Sequence, residues 1–136
     1  METSSANKDI IRAFVDAWND RDFAVFDRLM GEGAMLRVGG QTVPCDPAGT
    51  RAIAEEWTTS FPDWRFDLRA LVAEGDLVAA HMPYEGTFRR PLYGVEPTGR
   101  FARVDEMVIF RVAREKVVEA WEVYDEAGMW RQLGAH

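Results

Sequence analysis

The chain has 136 residues, a net charge of −7, and 47% hydrophobic against 29% charged residues. That is enough length and apolar content for one domain with its own core. The acidic balance, with Arg89-Arg90 as the only basic pair, argues against a nucleic-acid partner.

Residues 1–6 read as a polar, disordered tail on a single domain that takes up the rest of the chain. Residues 7–19 carry Ile10, Ile11, Phe14, Val15 and Trp18 on one face of period 3.6, which predicts a helix. Asp20-Arg21-Asp22 breaks it. Asp22 then caps a second, short helix over 23–30 with Phe26, Leu29 and Met30 on its apolar side. Four glycines bracket a short strand at 34–38. Asp46-Pro47 starts a third helix, a capping acid followed by proline at the first helical position, with Ile53, Trp57 and Phe61 spaced by four.

From Phe61-Pro62-Asp63 to Asp125 the pattern is strand. Residues 64–73 alternate, Glu74-Gly75-Asp76 makes a tight turn, and 77–88 return. Residues 89–99, with two prolines and two glycines, form a loop. Residues 101–112 and 116–125 form a last hairpin, and 126–133 a terminal helix or turn. Helices first and a meander after predict an α+β fold: three N-terminal helices packed on a strongly curved, mostly antiparallel sheet, with a pocket between the layers.

No apolar run approaches the ~20 residues that cross a bilayer, so no membrane partner is expected. The polar stretch 1–9 lacks the apolar core of a secretion signal, and the lone cysteine, Cys45, fits a reducing compartment. A cytoplasmic location is the expectation. Cys45 lies in a proline-flanked loop far from either histidine and reads as structural.

The chemistry concentrates in the last hairpin. Ala102, Val104, Glu106, Val108, Phe110 and Val112 share one strand face, apolar except for Glu106. A lone acid there is costly to bury as an anion; the alternative is a register shifted by one residue, which puts Glu106 on a solvated face. Asp125 ends the following strand and shares parity with Val117, Glu119, Trp121 and Val123. If that face points inward, two acids on neighbouring strands make an acid/base site in a dry cavity; otherwise Asp125 caps the terminal turn. Tyr84 follows Val78, Ala80 and Met82 on one face. It either donates to an enolate oxygen or is simply packed. Trp18 and Trp57 are candidates to line the pocket. His81 has the opposite parity and reads as convex-side, Arg103 and Asp105 as a surface or interface pair, and His136 as a disordered terminus. No spacing suggests a metal site, and no glycine loop suggests phosphate binding. Phe101, Met107 and Ile109 make the outer sheet face apolar as well, which predicts a homodimer.

The order of elements resembles the cone-shaped nuclear transport factor 2-like fold and, within it, the SnoaL-like polyketide cyclase (ester cyclase) family. The resemblance rests on Ser60-Phe61-Pro62-Asp63, Glu74-Gly75-Asp76-Leu77-Val78-Ala79-Ala80, Glu85-Gly86-Thr87, Gly94 through Arg100, Ile109 through Val112, Trp121 through Asp125 and Arg131-Gln132-Leu133-Gly134. It implies ring closure by intramolecular aldol chemistry without metal or organic cofactor. It matches Asp125 to the family's acid and turns Met82, Tyr84, Glu106 and Trp121 toward the cavity. Where the family often carries histidines, this chain has Phe88 and Arg37. The expected site is thus Asp125, Glu106 and Tyr84 for catalysis, with Trp18, Trp57, Met82, Phe88 and Trp121 around a hydrophobic, polyketide-like carbonyl substrate. The expected function is a cofactor-independent cyclase or isomerase. An epoxide hydrolase-like enzyme using the same two acids, or a binding protein without catalysis, is the alternative.

Overall fold

A computed structural model describes residues 2–135; Met1 and His136, including the disorder expected of them, lie outside the described residues. Helix α1 spans Glu2–Asp20, so residues 2–6, expected as tail, form its first turns. Ile11, Phe14, Val15 and Trp18 are buried, as the period predicts. The expected second helix is shorter and divided: a 3-10 turn at Phe23–Val25 runs into a single turn, α2, at Phe26–Leu29. Asp22 makes no side-chain cap, and Met30 already belongs to strand β1, Met30–Val38. A hairpin at Gly39-Gly40 returns as β2, Gln41–Pro44. Helix α3, Pro47–Ser60, starts as predicted: the Asp46 carboxylate accepts from the Gly49 amide at 2.8 Å. The helical layer is therefore two N-terminal helices, α3 after the first hairpin, and a C-terminal α4 at Glu126–Leu133.

The remaining strands are β3 (Arg65–Phe66), β4 (Ala70–Glu74), β5 (Leu77–His81), β6 (Tyr84–Thr87), β7 (Phe101–Val104), β8 (Glu106–Ala113) and β9 (Lys116–Tyr124). Six form a mixed sheet in the order β2-β1-β9-β8-β5-β4, in which β1 runs parallel to β9 and every other pair is antiparallel. Three form an antiparallel sheet, β3-β6-β7. The two sheets share chain at two breaks, Met82-Pro83 between β5 and β6 and Asp105 between β7 and β8. Proline removes a ladder donor at the first. The Met82 amide donates to the Glu106 carbonyl at 3.0 Å, and the Asp125 amide to the Asp105 carbonyl at 3.1 Å, which pins the corner. Parity is kept through Asp105, so the run 102, 104, 106, 108, 110, 112 is buried throughout.

Between β8 and β9 the register jumps from Arg111↔Glu119 to Val112↔Val117, leaving Val118 as a bulge. Val117 and Ala120, Glu122, Tyr124 consequently share the inner face, while Glu119, Trp121 and Val123 face outward. This single residue decides which acid of β9 enters the core. Gly86 permits the close approach of β6 to α3's end, since a Cβ there would lie 2.9 Å from the Phe61 Cβ. No helix among the described residues is long and apolar enough to cross a membrane.

Candidate active site

The concave side of the sheet and helices α1 and α3 enclose a cavity of about 70 Å³. Its wall is rich in aromatic rings, among them Trp18 from α1, Trp57 from α3, Trp64 and Phe66 near β3, Tyr84 from β6, and Tyr124 from β9. These rings brace one another. Trp64 stacks on Tyr84 at 4.2 Å, Trp57 meets Tyr84 and Tyr124 edge-on at 6.0 and 6.2 Å, and Trp18 meets Phe66 edge-on at 5.1 Å.

Two carboxyls enter this wall, Glu106 at the start of β8 and Glu122 on β9. They are diagonal neighbours across the ladder: Glu106 faces Tyr124, and Val108 faces Glu122. Glu106 is only 6% exposed. Burial pushes its carboxyl well above the usual range; the charge of Glu122 and a hydrogen bond to it add to the shift. Burial also raises Glu122, and its hydrogen bond with Glu106 works the other way. Both carboxyls are thus pushed toward the protonated form, Glu106 the more strongly, because burial and a neighbouring carboxyl each disfavour a charge there.

Trp18, Trp57, Met82, Tyr84 and Glu106 line the cavity. Three expected residues do not. Asp125 is exposed, and its carboxylate accepts from the Gly128 amide at 3.0 Å as the N-cap of α4, which is the capping alternative. Trp121 lies on the outer face under the guanidiniums of Arg37 and Arg111, 5.7 and 5.6 Å from its ring, because the Val118 bulge reverses its parity. Phe88 is fully buried but packs away from the cavity, stacked on Phe61 at 5.5 Å and edge-on to Trp130. Tyr84 contributes its ring, but its hydroxyl donates to Met129 Sδ at 3.3 Å, and burial raises it further from ionisation. That hydroxyl is committed to α4, contrary to the expected enolate contact.

The residue missed in the sequence is Glu122. Counting back from the two-residue turn Arg114-Glu115 without a bulge aligns Glu106 with Val123, which makes the odd positions of β9 look buried. Cys45 is buried in the same wall and its thiol is pushed up to about 12, so it is no nucleophile at neutral pH. His81 is on the convex side, as its parity indicates, with Nε2 2.6 Å from Asp105 Oδ1; Arg103 pairs on that surface with Glu85 and Asp67. Among the described residues no group of three or more His, Cys, Asp or Glu side chains is placed to hold a metal ion.

The fold and cavity lead to a family. Residues 8–133 match the profile of the SnoaL-like polyketide cyclases, and the chain belongs to that family. Among solved structures, TsrD from Streptomyces laurentii superposes with a TM-score of 0.86 at 27% identity, over 97% of each chain. IdmH from Streptomyces antibioticus, described as a candidate polyketide cyclase, gives 0.82 at 27% identity, over 95% of this chain and 99% of its own. AclR from Streptomyces galilaeus, described as a candidate hydroxylase, shares the fold at 0.85 and 24% identity, over 96% and 97%. No curated protein matches the chain in sequence.

Proposed function

We propose that the protein is a cyclase-type enzyme that performs acid–base chemistry on a hydrophobic carbonyl compound, with Glu122 as general base and Glu106 as general acid. The observation that supports this most is a pair of adjacent buried carboxyls, both raised and Glu106 the more strongly, in a cavity lined by aromatic rings. A base must be ionised and an acid protonated at the same pH, and the proposal assigns the acid to Glu106, the more strongly raised of the two.

In an intramolecular aldol closure, Glu122 takes a proton from the carbon next to a carbonyl. The C–H electron pair moves into the enolate, and the enolate carbon attacks a second carbonyl of the same molecule. Glu106 gives its proton to the new alkoxide. One proton is taken and one given, so the pair ends with the single proton it began with, transposed between the two carboxyls, and the product is an isomer of the substrate. The reaction uses no redox partner.

The reading extends to a homodimer in the cytoplasm, built through the convex face on which Val72, Met107, Ile109 and Val123 are exposed. The test of function is turnover of aromatic polycarbonyl esters, and of apolar aryl epoxides in parallel, in oxygen-18 water, followed by mass spectrometry. A product of unchanged mass, without label, supports ring closure. Gain of one labelled water identifies the hydrolase alternative, and tight uptake without turnover the binding protein.

A further inference from the structure

We infer that Tyr93 is the gate of the cavity: its side chain closes the opening between α3 and β9, and a ring-bearing ligand enters when that side chain turns outward. The inference rests on the cavity being the ligand site of the proposed function and names how a ligand reaches it. The cavity measures about 70 Å³. An apolar cavity that takes up benzene measures about 150 Å³. A substrate able to close a ring is larger than the enclosed space, so part of the wall must give way.

The opening shows in the burial of the wall. Of the lining residues, Leu36, Ile53, Glu122 and Tyr124 are half-buried and all the others are buried. Leu36 on β1 pairs with Ala120, and Val38 with Glu122, so Leu36, Glu122 and Tyr124 lie close together on two paired strands. Ile53 is on α3, which packs against β1. The cavity therefore reaches the surface between α3 and the β1–β9 pair. Tyr93 stands at this place. Its ring is edge-on to Trp57 at 5.9 Å, and Trp57 is edge-on to Tyr124 at 6.2 Å. Its hydroxyl lies within hydrogen-bonding reach of the Glu56 and Trp57 side chains and feels the charge of Glu122. The residue is 59% exposed, yet burial and the charge of Glu56 push that hydroxyl up to about 12, so the hydroxyl end is the inward end.

The backbone confines the motion to this one side chain. Leu92 and Val95 exchange both backbone hydrogen bonds, at 3.1 and 2.9 Å, around a two-residue tip, Tyr93-Gly94. Both tip residues are left-handed, with φ of +51° and +77°. Such a turn favours Asn-Gly, and a bulky aromatic residue there is an outlier. Strain of this kind points to a role that overrides local preference. Behind the tip the loop is fixed to the end of α3. Leu92 is buried, the Ser60 hydroxyl donates to the Pro91 carbonyl at 3.0 Å, and the Arg89 amide donates to the Ser60 carbonyl at 2.8 Å. An open surface groove along α3, walled by Glu55, Glu56, Thr59 and Pro91, borders Tyr93 and gives the ring room to turn into. The contacts that hold the gate shut are then the edge contact with Trp57 and the hydroxyl's polar contacts, few enough for an open state to be populated.

The test is stopped-flow fluorescence with prodan, a neutral naphthyl ketone whose emission moves to the blue in an apolar site. A gate open about a tenth of the time slows association about tenfold without setting the affinity. Tyr93→Ala should therefore raise the association and dissociation rate constants together, each by about tenfold, with Kd changed less than about threefold. Tyr93→Phe keeps the ring without the hydroxyl and should raise both by less. If Tyr93→Ala does not fold, Tyr93→Asn, which tolerates the left-handed backbone, carries the test. Ile53→Trp fills the opening from α3 and should abolish uptake. Uptake that appears only on Tyr93→Ala also supports the gate. Unchanged rates in both Tyr93 variants overturn the inference, as does faster dissociation with unchanged association, which makes Tyr93 a simple binding contact. Uptake unaffected by Ile53→Trp overturns the assigned opening, and no uptake by the wild-type protein and Tyr93→Ala alike overturns the inference as well. None of these readouts requires turnover, so failure of the acid–base reading registers separately in the oxygen-18 experiment.

Discussion

Glu106 and Glu122 are diagonal neighbours across the β8–β9 ladder that enter one cavity, and each owes its inward position to a different local feature. Glu106 starts β8 just after the corner at Asp105, with parity carried over from β7. Glu122 is turned inward by the single extra residue Val118. Without that bulge Glu122 turns outward and Glu119 inward, and this pairing with Glu106 does not arise.

The two raised carboxyls set a pH dependence of stability. Both folded-state carboxyls are raised above the unfolded range near ~4.3. Above that value the unfolded chain binds fewer protons than the folded one, so stability falls as pH rises toward the folded-state values. Glu106→Gln removes this ionisation while keeping a donor to Glu122. In urea unfolding at a series of pH values, its stability relative to the wild-type protein should rise with pH, by up to ~1.4 kcal/mol per pH unit within the window. A difference that is flat with pH contradicts the raised carboxyl.

Asp125→Asn keeps an N-cap of similar strength, and the activity should stay near that of the wild-type protein. Asp125→Ala should cost ~1 kcal/mol in stability with little change in rate per folded molecule. Glu122→Gln should lower the rate by ~100- to 10,000-fold with the fold intact. Steady-state rates and thermal melts on the same preparations separate these outcomes.

The convex face carries Met107 at 57% and Val123 at 74% exposure, directly opposite each other in the ladder, beside exposed Ile109. Ile109→Glu should convert a dimer to a monomer in light scattering at micromolar concentration. A wild-type protein already monomeric there contradicts the dimer.

Cys45 is 4% exposed and its thiol is pushed up to about 12. At pH 8 a disulfide reagent such as dithionitrobenzoate should react with the native protein orders of magnitude more slowly than with the urea-unfolded chain. Equal rates contradict a closed wall at that position.

Much of the fold was legible because its signals are local. The 3.6 period of α1, Asp46-Pro47 at α3, and the turns at Gly75 and Arg114-Glu115 each act within a few residues. Glu106 was legible for the same reason, since β8 keeps strict alternation. Glu122 was not, because a bulge leaves no mark in the alternation of its own strand. The odd positions Val117, Trp121 and Val123 even make the wrong face look apolar. Trp121 escapes solvent by lying beneath two guanidiniums, which the pattern on one strand does not reveal. The division of the second helix had a similar cause: Met30 pairs with Val117 of β9, some ninety residues away, and that long-range pairing outweighs local helix propensity.

The most direct test of the central claim is a carbon-13 NMR titration of the protein labelled at the glutamate side-chain carboxyl, with Glu106→Gln and Glu122→Gln assigning the two resonances. The account predicts that at pH 7 Glu106 resonates as a protonated carboxyl and Glu122 as a carboxylate, and that each substitution shifts the titration of the other residue. Both resonances at the carboxylate position at pH 7, titrating independently in the usual acid range, would contradict it.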